Sequence, residues 1–236
     1  VKELQKIVEE FIKTFGIKWD VTVKVHPGIR GCQIVSFAGR SPLHEILINT
    51  RPMLGQNLFD VAHEIVHALF AERIDPLFSG VMFNPAHESQ VDHSMRFKEV
   101  EIAQAGIDIW INRLREEHYP GMMLEDVDAF AKAVFPRIMQ GIPFEQTGIV
   151  ALAVFIAESH GIGYGCSAIE SRLEGKPGKK VRALANLFES LPNLEFIRDK
   201  DLQKLQRLVQ KVAQILEFAI RPRIVEHETG YHVWTY

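Results

Sequence analysis

The chain has 236 residues, 47% of them hydrophobic and 24% charged, and a formal net charge of −3. Those proportions exclude a disordered, collagen-like or mucin-like chain and leave room for one large domain or two small ones around a real core. The charge balance offers no strongly basic field for sequence-independent binding of nucleic acid. No apolar run reaches the ~18 residues of a membrane span, the longest being 149–157.

The first segment, 3–15, places Leu4, Ile7, Val8, Phe11, Ile12 and Phe15 at helical spacing and stops at Gly16, so it reads as an amphipathic helix. Being charged as well as amphipathic, this start is expected not to be a secretory signal, and the cytoplasm is the default location. Alternation over 21–25 predicts a strand, and 32–38 and 45–49 predict two more, separated by Pro-Gly and Gly-Arg-Ser-Pro turns. The pattern over 56–72 predicts a helix, with Leu58, Val61, Ala62, Ile65, Val66, Leu69 and Phe70 as its apolar stripe. From 73 to 92 periodicity vanishes, which predicts a long connection of the kind that carries function. A helix is expected over 94–117, ended by Tyr119-Pro120-Gly121.

Beyond 121 everything reads helical, with helices predicted over 124–139, 145–159, 166–173, 180–190 and 199–220. The last carries Leu202, Leu205, Val209, Val212, Leu216 and Ala219 in 3-4 steps. Such a seam meets another helix within the chain or, as a dimer contact through 202–219, in a second copy. The composition shift near residue 120 divides an α+β N-terminal domain, 1–120, from an all-helical C-terminal domain, 121–236, of open role.

One motif dominates the chemistry. His63-Glu64-Ile65-Val66-His67 lies inside the 56–72 helix. Positions i and i+4 share a helix face, so both imidazoles can grip one zinc ion. Zinc acidifies a water, and Glu64, one residue after the first ligand, can take its proton as it attacks a carbonyl. This is the logic of H-E-x-x-H metallopeptidases, acting on a protein or peptide substrate. A catalytic zinc needs a third protein ligand. His93, which follows the long connection, is the first choice; Glu99, Glu101 and His87 are its rivals.

The segment 93–99, with His93 followed by Phe97 and Lys98, and Gly106 beyond it, resembles the SprT-like metallopeptidases, which pair H-E-x-x-H with H-x-x-x-F-K. The resemblance covers roughly 1–110. It implies a zincin-like fold, a small sheet beside the active-site helix, with zinc on His63, His67 and His93, Glu64 as general base and Phe97 as a packing residue. The Cys-rich zinc ribbon of many members is absent. The segment 59–64, together with Glu99 and Glu101, also resembles the ImmA/IrrE metallopeptidases. That family implies a glutamate third ligand and a regulatory peptidase whose helical region follows the catalytic one.

Smaller features carry blander readings. Cys32 and Cys166 form no C-x-x-C pair and read as two free, buried thiols, with a single bridge between them left open. Gly161, Gly163 and Gly165 read as a helix–helix connection. Lys176, Lys179, Lys180 and Arg182 read as a solvated basic loop, and nothing else favours nucleic acid. Asp60 is a candidate to orient an imidazole. Tyr119, Tyr164 and His160 have the chemistry of oxyanion donors, but the sequence places none of them. A non-catalytic, metal-containing binding module is the competing function.

Overall fold

The computed structural model describes residues 2–26, 32–38, 41–48, 57–80, 82, 92–141 and 144–236. The described chain is α+β, mostly helical, with a mixed three-stranded sheet and a separate two-stranded one. It divides into two compact units, each built from discontinuous segments. The first comprises 1–88, 195–203 and 224–235; the second comprises 89–194, 204–223 and 236.

In the first unit, α1 (Lys2–Phe15) buries Val8, Phe11 and Phe15. Strands β1 (Asp20–Val25), β2 (Cys32–Phe37) and β3 (Leu43–Ile48) follow in the order β1-β3-β2. The central strand β3 runs parallel to β1 and antiparallel to β2, with Ile46 opposite both Val23 and Ile34. Period-2 alternation turns His44, Ile46 and Ile48 inward. Helix α2 (Asn57–Arg73) packs on β2 and α1. The following connection is not plain loop. Pro76–Phe78 form a buried 3-10 turn, and the Phe78 ring meets Phe70 edge-on at 5.9 Å.

In the second unit, the helix expected over 94–117 is two: α3 (His93–Gln104) and α4 (Asp108–His118), joined by a tighter turn at Ala105–Ile107. The turn sits where Gly106 meets the Phe188 ring, which a Cβ there would approach to 2.7 Å. Helices α5 (Met122–Met139), α6 (Gln146–Ile162), α7 (Ser167–Glu170) and α8 (Gly175–Glu189) follow in the expected order, but α8 begins at Gly175, ahead of the start expected at 180. The middle of α6 is apolar nearly all round, as the core helix of a bundle must be, and it packs on α5 and α8. Helix α9 (Arg198–Leu216) buries Leu205, Val209, Val212 and Leu216 within the chain, whereas Ala219 lies beyond it and is exposed.

The all-helical expectation after 121 fails at the end of the chain. Strands β4 (Arg223–Glu226) and β5 (His232–Thr235) pair around a turn at Gly230, where φ is +81°. The local signals were there: Ile224 and Val225, then Val233, Trp234 and Thr235, are β-branched or aromatic and flank a Thr-Gly pair. Among the described residues no helix is long and apolar enough to cross a membrane.

Candidate metal centre

Helix α2 buries Val61, Ala62, Ile65, Val66, Ala68, Leu69 and Phe70. Asp60, His63, Glu64 and His67 on the same helix are half-buried. They stand at i, i+3, i+4 and i+7, one polar stripe along the helix.

The two imidazoles converge on that stripe. His63 Nε2 and His67 Nε2 are 3.2 Å apart, with ring planes at 66°. His67 Nδ1 lies 2.7 Å from the Phe78 carbonyl oxygen. A carbonyl only accepts, so Nδ1 carries the proton and Nε2 is the ligand nitrogen. Two nitrogens on one tetrahedral zinc, each ~2.0–2.1 Å from it, lie about 3.3 Å apart. The observed separation therefore fits two ligands of a single ion.

The Phe78 carbonyl is itself held. Asp75, whose side chain is fully buried, caps the 76–78 turn by accepting from Leu77 N at 3.1 Å. Its other oxygen accepts from Arg198 at 2.9 Å and from His232 Nδ1 at 2.8 Å. A hydrogen-bonded chain thus runs from His232 and Arg198 through Asp75 and the turn to His67. This orienting group for an imidazole was invisible in the sequence, because the partner is a backbone carbonyl eleven residues on.

Glu64 and Asp60 direct their charge toward the start of β2. The Cys32 thiol there is pushed far above its usual range, first by burial and then by these two carboxylates. Cys32 is half-buried and Cys166 buried, both as free thiols.

The third-ligand candidates lie in the second unit or outside the described residues, as His87 does. His93 opens α3, with Nδ1 2.9 Å from the Tyr236 hydroxyl and its ring against Phe97. Arg96 lies over the Tyr236 ring at 4.8 Å. Glu101 is exposed. Glu99 is different: its Oε2 is shut from solvent with no hydrogen-bond partner among the described residues. Burial raises its pKa, with Arg96 opposing. A buried, orphaned carboxylate oxygen is costly, and a cation would remove that cost.

The remaining candidates lie in the second unit. Tyr164 donates to Asp128 at 3.3 Å, and His160 meets Glu189 at 2.7 Å. Tyr119 caps α4. The basic segment expected to be a loop is the start of helix α8, where Lys176 and Lys180 pair with Glu217 and Arg182 donates to the Leu173 carbonyl.

Sequence reasoning missed one polar cluster. Ser36 Oγ lies 2.7 Å from His44 Nδ1, and His44 Nε2 lies 3.2 Å from Glu72. These are the residue types of a nucleophilic triad. His44, however, is fully buried under Trp19, stacked at 4.9 Å, and Ser36 is buried too. Glu72 also accepts the Lys18 and Trp19 N–H groups at 2.9 and 2.7 Å. The cluster is sealed from substrate and ties β2, β3 and α2 to the start of β1.

No protein-family model, no curated protein and no solved structure matches this chain.

Proposed function

We propose that this protein is a zinc-dependent metallopeptidase in which His63 and His67 hold the metal and Glu64 is the general base. The carrying observation is the Nε2 pair at 3.2 Å, with the His67 tautomer set by the Phe78 carbonyl. Zinc, when bound, supplies Lewis acidity that polarises a carbonyl and acidifies water. The Glu64 carboxylate takes the proton of the attacking water and passes it to the departing amine nitrogen. Strand β2, an edge of the three-stranded sheet, packs on α2. An edge strand offers ladder groups to an extended peptide, which supports a peptide substrate.

The SprT-like resemblance makes His93 the third ligand. The orphaned Glu99 oxygen favours a second reading, the ImmA/IrrE-like one, in which a glutamate takes that place and the peptidase is regulatory. Metal content per chain decides between them. The variants to compare are His63→Ala/His67→Ala, His93→Ala, Glu99→Ala, Glu101→Ala and His87→Ala. Loss of one zinc per chain with the histidine pair is expected. Whichever single variant also loses it names the third ligand. Zinc bound equally by wild type and the histidine pair would overturn the assignment in favour of a binding module. Glu64→Gln is expected to keep its zinc and lose peptide hydrolysis by ~10²-fold or more. Undiminished turnover would remove Glu64 as the base.

A further inference from the structure

A second group of metal-ligating side chains lies in the second unit and does not depend on the reading of His63 and His67. His160 sits in the last turn of α6. Gly163, at φ +70°, ends that helix in a left-handed cap. The chain then turns so that Cys166 stands at the head of α7 and Glu170 at its end. Glu189 closes α8. Three chain segments thus deliver an imidazole, a thiol and two carboxylates to one place.

The geometry is more than proximity. His160 Nδ1 is 2.7 Å from Glu189 Oε1, so Nδ1–H donates to that carboxylate and Nε2 faces the other way. On that side Glu170 Oε1 lies 3.4 Å from Nε2, and Glu170 Oε2 accepts from the Cys166 thiol at 3.5 Å. One ligand atom from each of His160, Cys166 and Glu170 lies within 4.8 Å of the other two. A carboxylate behind an imidazole, with the second ring nitrogen turned toward further ligands, is the orienting pattern seen behind metal-bound histidines. Sulfur, nitrogen and oxygen donors together suit a borderline divalent ion, zinc above magnesium or calcium. The thiol is buried, while the imidazole and Glu170 reach solvent, which leaves the ion a way in.

We propose that His160, Cys166 and Glu170 form a second zinc-binding site, with Glu189 positioning His160. The ion replaces the thiol proton, which leaves to solvent, so one proton is released per ion bound. The bound ion fastens the ends of α6 and α7 to each other, and through Glu189 to the end of α8.

Cobalt(II) tests this, because only a thiolate ligand gives the intense near-ultraviolet sulfur-to-cobalt absorption. The full-length chain is stripped with chelator and titrated with cobalt. The band is expected to saturate at one ion per chain in wild type, in His63→Ala/His67→Ala and in Cys32→Ser, and to be displaced by zinc. It is expected to vanish in Cys166→Ser. In His160→Ala, a surface change that spares the fold, cobalt affinity should fall at least tenfold. Glu189→Gln should keep the band and bind roughly 10- to 100-fold more weakly. Zinc should raise the Tm of the His63→Ala/His67→Ala variant and leave that of the same variant carrying His160→Ala unchanged. No band in wild type, or a band that survives Cys166→Ser, overturns the proposal and leaves a hydrogen-bonded cluster.

Discussion

Glu158 shows how much one side chain can weigh. It lies in α6 with its carboxylate buried, accepting from Asn112 at 2.6 Å. Burial pushes its pKa from 4.5 up to about 7; the Asp108 and Asp126 carboxylates add to this, and Asn112 and Arg115 oppose it. Unfolded, the group ionises near 4.5; folded, it keeps its proton until about 7. The stability that Glu158 lends is therefore whole below pH 4.5 and is lost as pH rises through about 7, a loss of about 3 kcal/mol at full effect. Glu158→Gln keeps an acceptor for Asn112 and cannot ionise. Urea unfolding at pH 5 and pH 8 should show wild type losing stability relative to the variant by that order; parallel profiles would refute the argument. The same scale separates what was legible from what was not. His63, Glu64 and His67 stand within five residues on one helix, so helical geometry alone aligns them. Ser36, His44 and Glu72 lie 8 and 28 residues apart along the chain, and only sheet pairing and helix packing bring them together.

At the scale of elements, two glycines make opposite predictions. Gly161, in the last turn of α6, has open space where a Cβ would stand. Gly161→Ala should stabilise by up to about 1 kcal/mol through helix propensity and a less flexible unfolded chain. Gly178, in the first turn of α8, would drive a Cβ to 2.5 Å from the Leu173 carbonyl. The neighbour there is backbone, which cannot swing aside, so Gly178→Ala should destabilise by about 1–3 kcal/mol despite the same gain in propensity. Thermal or urea denaturation reads both, and equal signs would defeat the packing argument. The elements were largely legible because their periods are strong: α1, the three N-terminal strands, α2 and the helices between breakers fall close to their predicted places. The 76–78 turn and the split between α3 and α4 were not, since each answers a tertiary neighbour, the core beneath Phe78 and the ring of Phe188.

For the whole molecule, a composition shift near residue 120 suggested a boundary along the chain, whereas contacts gather segments distant in sequence. Residues 195–203 and 224–235 join the first unit, and 204–223 join the second. Asp75 illustrates the consequence: its partners Arg198 and His232 lie 123 and 157 residues away. Trp234 N, in the same way, donates to the Met82 carbonyl at 2.7 Å. Local rules see only a window of the chain, so they cannot assign such pairs. By itself the sequence determined the helices, the N-terminal strands and the adjacency of two histidines and a glutamate on α2, because backbone periodicity is a local property written in neighbouring residues. The tertiary structure alone decided the His67 tautomer, the sealing of the Ser36–His44–Glu72 cluster, the orphaned oxygen of Glu99 and the gathering of His160, Cys166, Glu170 and Glu189. Each of these depends on which distant groups share a desolvated space, and burial and hydrogen-bond partnership exist only once the chain has folded.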